Sequence, residues 1–195
     1  MILGAMKETS PEITSKLESV ALTLYKLYSS AEPYEVYPDA KNFLENFTTM
    51  QRINCFDPNR LRLGIISNFD KRLVGVVEEL KLSQYFDFIT YSEESGYSKP
   101  KKEIFEEAVR RSGLQNLKGE EILHIGDDLK KDYFGAKSLG WNALIIQRDI
   151  NAKTELLCNK SIQSNFGNST IMDDICDSFN DVESKIFESP QMDNK

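Results

Sequence analysis

Short, apolar, β-branched runs that each break into a turn and then a helical pattern constrain this chain more than any other feature. Leu61–Ser67 leads through Asn68 to a helical pattern over Leu73–Leu80, and Tyr85–Tyr91 leads to another over Lys102–Arg111, stopped by Gly113. Ile122–Ile125 leads through Gly126-Asp127 to a helical pattern over Leu129–Leu139, and Asn142–Ile146 closes the series. Runs of this length and branching read as buried strands, and a glycine after a helical pattern reads as its stop. Strand–helix alternation predicts a parallel sheet wound on both faces, a three-layer α/β fold. Two helices precede it. One runs from Ser10-Pro11 to about Ser29, with Ile13, Leu17, Val20, Ala21, Leu24 and Leu27 at helical spacing; the other is capped by Asp39 and turns Phe43, Leu44, Phe47 and Met50 inward.

Ligands of such sheets bind beyond the carboxyl ends of the strands, so the residues there carry the functional reading. Ser67-Asn68 follows the first strand, Lys99-Pro100 opens the helix after the second, and Asp127, Asp128 and Asp132 follow the third. Crowded carboxylates repel unless a cation sits between them, and hard oxygen ligands favour Mg²⁺. The Ser67 hydroxyl and the Asn68 backbone N–H can donate to phosphate oxygens beside a helix N-terminus. Lys99 supplies a compact positive charge for a phosphorylated intermediate and its transition state. Asp127 can ligate Mg²⁺, and Asp132 can ligate it or orient its water. Together these sites point to metal-assisted phosphate chemistry.

Each site also has a plainer reading. Ser67-Asn68 alone is a strand-end turn, and Lys99 alone is a surface lysine beside Lys101 and Lys102. Asp127 with Asp132 alone is a capping pair, and Asp128 is most simply a helix N-cap outside the metal shell. Their joint order at successive strand ends favours the functional reading. His124, the only histidine, reads as a packed strand residue, and Trp141 as packing at the start of the last strand. A phosphorelay receiver combines acids, a hydroxyl and a lysine too, but with the acid pair first; here the acids come last, which rejects it.

The 195 residues suit one domain with a small appendage, and 40% apolar content can supply a core. A net charge of −7 argues against a nucleic-acid partner. No apolar stretch approaches transmembrane length, and Met1–Lys7 is too short for a signal peptide. Cys55, Cys158 and Cys176 are scattered and odd in number, which suggests neither a disulfide framework nor zinc. A cytoplasmic protein acting on small molecules is expected; the oligomeric state is not legible.

Taken in order and spacing, Ser67, Lys99-Pro100 and Gly126-Asp127 with Asp132 resemble motifs two, three and four of the haloacid dehalogenase (HAD) superfamily. Ile65-Ile-Ser-Asn-Phe-Asp-Lys-Arg-Leu73, Tyr85-Phe-Asp-Phe88 and Ser92-Glu-Glu-Ser-Gly96 extend the likeness, which runs from about Tyr37 to Arg148. The resemblance implies a Mg²⁺-dependent phosphatase of a small phosphorylated metabolite, working through an aspartyl-phosphate. It casts Lys99 as catalytic, Ser67, Asn68 and Lys99 as phosphate-binding, and Asp127 and Asp132 as metal ligands. It marks 1–36 as a cap remnant and connector and 37–150 as an α/β core. Beyond the likeness, 151–188 reads from its residues as a polar segment and closing helix: Asp149 to Thr170 as irregular surface chain, then Ile171, Ile175, Phe179, Val182 and Ile186 at helical spacing, with 189–195 a disordered tail.

The family's first motif, Asp-x-Asp on a central strand, has no counterpart in these residues. Its first Asp is the nucleophile and its second the general acid/base. Strands lie about 4.8 Å apart, so lacking a central one leaves roughly 10 Å between its neighbours, the Ser67 and Ile122 strands. The expectation is therefore a shortened form of a longer enzyme, inactive or nearly so, with a non-catalytic phosphate- or metal-binding regulatory protein as the alternative.

Overall fold

The computed structural model describes residues 11–52, 61–158 and 171–187. Its first two helices are α1 (Pro11–Leu27) and α2 (Pro38–Arg52). The strands that follow are all parallel and fall into two sheets. In one, β1 (Gly64–Ser67) pairs with β2 (Phe88–Tyr91), setting Gly64 opposite Phe88 and Ser67 opposite Tyr91. Gly64 leaves room for the Phe88 ring, which a Cβ there would meet at 2.1 Å. In the other, β3 (Leu123–Gly126) pairs with β4 (Asn142–Ile146), whose end pairs with β5 (Ile175–Cys176).

The connecting helices are α3 (Arg72–Glu79), α4 (Ser92–Ser95), α5 (Lys102–Ser112), a π-helical turn (Leu129–Phe134) running into α6 (Gly135–Lys137), α7 (Ile150–Cys158) and α8 (Phe179–Phe187). Gly113 ends α5 at φ 71°, the left-handed stop expected of it.

Alternation along β4 sorts the core into two layers of packing. Ala143 and Ile145 join Ile104, Phe105, Tyr133, Ala136 and Trp141 on the side of α5 and α6. Leu144 and Ile146 join Phe43, Leu44, Phe47 and Val182 on the side of α2 and α8. With the sheet between them, these make the expected three layers. Among the described residues β1 and β3 share no ladder, so the sheet is split where a central strand was expected. Helix α5 spans the split: it packs on β1 and β2, and its Phe105 ring meets His124 of β3 edge-on at 5.4 Å.

Helix α1 presents Ile13, Val20 and Leu24 about half exposed. Its C-terminal end is held to α3 by the Arg72 guanidinium over the Tyr25 ring, and the turn after it by the Ala31 N–H donating to Glu79.

Two expectations for the C-terminal part need correction. The stretch read as irregular chain after Asp149 contains α7, begun by Asp149, whose carboxylate accepts the N–H groups of Asn151 and Ala152. The closing helix read from Ile171 begins only at Phe179. Ile171–Asp174 is a 3-10 turn and Ile175-Cys176 adds a strand to β4, because a buried apolar pair beside an open strand edge gains a ladder there. Residues 159–170 and the tail from 189 lie outside the described residues.

Candidate active site

Lys99 is placed by its backbone before its charge acts. The Asn68 side chain stitches it to the loop after β1: Asn68 Nδ2 donates to the Lys99 carbonyl at 3.0 Å, and the Lys99 N–H donates to Asn68 Oδ1 at 2.6 Å. Ser92 Oγ and the Glu93 N–H both donate to the Phe69 carbonyl, which ties the same loop to the end of β2. The Lys99–Pro100 peptide is cis. From this anchor the lysine turns inward. Its Nζ donates to the Ile66 carbonyl at 2.8 Å and to Asp132 Oδ1 at 2.5 Å, so one ammonium links β1 to the loop beyond β3.

Asp132 reaches that position through Gly126 and the π-helical turn. A Cβ on Gly126 would lie 2.3 Å from Asp132 Cγ, so only a glycine lets the carboxylate lie against the end of β3. Asp128 starts the turn as expected, its side chain accepting the N–H groups of Lys130 and Lys131 and its carbonyl those of Asp132 and Tyr133. The Asp132 carboxylate is almost fully buried. Its Oδ1 accepts from Lys99 and lies 3.0 Å from His124 Nε2, and its Oδ2 accepts the Asp128 N–H at 3.1 Å. Burial alone would raise its pKa. The hydrogen bonds from His124 and Lys99, and the Lys99 charge, outweigh that and hold it far below the usual carboxylate range. Asp132 is therefore ionised and can only accept, which puts the proton on His124 Nε2.

The structure thus brings Asn68, Lys99 and Asp132 together at the strand ends, with Ser67 partly buried at the end of β1 and Asp127 exposed after β3. Two roles were missed from sequence. Asn68 acts through its side chain on Lys99, and His124 is packed, as expected, but also bonded to Asp132. The signal for the second was present: His124 and Gly126 alternate onto the same side of β3, and Gly126 is where Asp132 must fit.

Mg²⁺ takes near-octahedral oxygen coordination, with several ligands beyond one carboxylate. Here Asp132 Oδ1 meets two protein partners and Oδ2 one, so the carboxylate keeps one lone pair, and Asp127 is exposed. Among the described residues no three His, Cys, Asp or Glu side chains are gathered to hold a metal ion. These residues by themselves do not fit a Mg²⁺ site.

A family model described as haloacid dehalogenase-like hydrolase matches residues 5–140. The chain belongs to this family. It is similar to the Rhythmically expressed gene 2 protein of Drosophila melanogaster, at 35% identity over 147 residues, covering 75% of this chain and 55% of the relative. It is also similar to haloacid dehalogenase-like hydrolase domain-containing protein 3 of Danio rerio, at 32% identity over 140 residues, covering 72% and 53%. The chain therefore spans about half the length of the curated relatives it matches. The HAD phosphatase from Thermococcus onnurineus shares the fold, with a TM-score of 0.58 at 23% identity, covering 78% of this chain and 59% of that one. As a member of a HAD-like hydrolase family, the chain carries a hydrolase fold. No helix among the described residues is long and apolar enough to cross a membrane.

Proposed function

We propose that the strand-end site is the phosphate-recognition part of a phosphohydrolase centre for a small phosphorylated metabolite. The observation that carries this reading is the Lys99 ammonium. It has three N–H donors; two are committed to the Ile66 carbonyl and Asp132, and one remains for an incoming oxyanion. Ser67 Oγ and the Asn68 N–H supply further donors at the end of the same strand. Held in a partly buried site, these donors stabilise charge on a phosphoryl group better than they would in water.

On family grounds the covalent step is attack by an aspartate of an Asp-x-Asp pair, which these 195 residues do not contain. The chain therefore binds phosphate without turnover, which is also what the regulatory alternative requires. Mg²⁺ belongs to the catalytic form only, where further oxygen ligands would join Asp127, with Asp132 fixing the lysine beside it.

The test is a phosphatase assay on a form of the protein extended with an Asp-x-Asp strand. It should release phosphate only with Mg²⁺, and Lys99→Ala or Asp127→Asn should each cut the rate by about 10²-fold or more. An extended form that binds phosphate but never releases it would leave the non-catalytic role in place of the enzyme. One that does neither would overturn the phosphate site altogether.

A further inference from the structure

We propose that His124 is a positioning residue of the strand-end site: its Nε2–H holds Asp132 Oδ1, and the carboxylate so held fixes the Lys99 ammonium. Only the purpose of Lys99, not its placement, rests on the phosphate reading above.

The geometry begins with the imidazole. Its ring stands edge-on to Phe105 at 82° with centroids 5.4 Å apart, and Phe105 stands edge-on in turn to Trp141 at the same separation. Phe105 is wholly buried, so the aromatic stack fixes the plane of the histidine. With the plane fixed, Nε2 lies 3.0 Å from Asp132 Oδ1. A phenylalanine or leucine would fill the same space against Phe105; what the histidine adds is a donor aimed at a buried charge.

That donor is needed. The side chains of the Lys99–Asp132 pair are only 12% and 4% exposed, and a buried ion pair is favourable only where its remaining lone pairs are also satisfied. Lys99 meets one oxygen, the Asp128 N–H meets the other, and His124 supplies the second donor on Oδ1. Removing it leaves Oδ1 to Lys99 alone, with a buried lone pair unmet and the carboxylate held only by the ammonium and the Asp128 N–H. The acceptor that sets the direction of the ammonium between β1 and the loop after β3 is then less firmly fixed.

Because His124 is the only histidine, a long-range ¹H–¹⁵N spectrum of the whole chain at neutral pH reads it without assignment. A proton bonded to Nε2 is expected, and a bare Nε2 would overturn the proposal in the wild-type protein, with no variant needed. The second readout is the Lys99 ammonium resonance, identified by its disappearance in Lys99→Arg; a held ammonium exchanges slowly enough to be seen. His124→Phe should lose it, whereas His124→Gln, which keeps a donor near the same place, should keep it. If His124→Phe keeps the signal, or His124→Gln loses it equally, the histidine is packing alone. Titrating wild-type protein with inorganic phosphate separates the two readings: no saturation would sink the phosphate site, while the resonances alone decide the role of His124.

Discussion

Gly126 carries no side chain because Asp132 occupies the place where its Cβ would be, 2.3 Å from the carboxyl carbon. Gly126→Ala should therefore push the carboxylate off Lys99 and destabilise the fold by about 1–3 kcal/mol, read by urea denaturation. An alanine variant as stable as wild type would mean that the loop yields without strain. Thr90 presents the opposite case. It is wholly buried on β2 and its hydroxyl has no hydrogen-bond partner among the described residues. Thr90→Val keeps the shape and removes an unpaired polar group, so it should be neutral or stabilising by about 1 kcal/mol in the same assay. A clear loss would reveal a partner for the hydroxyl in solution.

At the level of elements, α5 is the piece that ties the site to the sheet, and its attachment is electrostatic as well as apolar. Glu107 accepts from Arg110 and Arg111, and Arg111 also pairs with Glu94 of α4 and donates to the Ile89 carbonyl of β2. The hydrogen bonds from Arg110 and then Arg111 lower the Glu107 pKa from 4.5 to about 2. A carboxylate lowered on folding contributes stability that is present above about pH 4.5 and lost as pH falls toward 2. Glu107→Gln should then be less stable than wild type at pH 7, with the difference shrinking across that window in pH-dependent thermal melts. A constant difference would assign the effect to packing. Element by element, the sequence was a good guide where periodicity is local: α1, α2, β4 and α5 lie where the spacing put them. It failed where a distant partner decides. Ile175-Cys176 reads as helix by spacing and becomes strand because β4 offers an edge. Asp39 reads as a cap, yet its carboxylate holds Arg148 and the Phe179 N–H, 109 and 140 residues away. The site was legible as far as residue types and strand ends could take it. The Asn68 clamp and the His124 bond to Asp132 needed the fold, since each joins atoms whose approach only packing decides.

At the scale of the whole molecule, the described residues hold a sheet split between β1 and β3 together by something other than a shared ladder. Helix α5 and Lys99 cross the split, one by apolar contact with His124 of β3 and the other by bonding Ile66 and Asp132 at once. The halves should therefore unfold together. Trp141, the only tryptophan, sits in the core beside β4 and Phe105, so its fluorescence reports one half while far-ultraviolet dichroism reports both. Coincident thermal transitions are expected; an earlier dichroic change without tryptophan exposure would show the β1–β2 half melting alone. On the function proposed above, the chain recognises phosphate at Lys99 without hydrolysing its esters. Both halves of that statement are read by calorimetric titration of the 195-residue chain with inorganic phosphate, alongside an assay for release from an aryl phosphate. Saturable binding that Lys99→Ala weakens at least tenfold is expected, with no release above background. Turnover by the purified chain, or phosphate binding indifferent to Lys99, would overturn it.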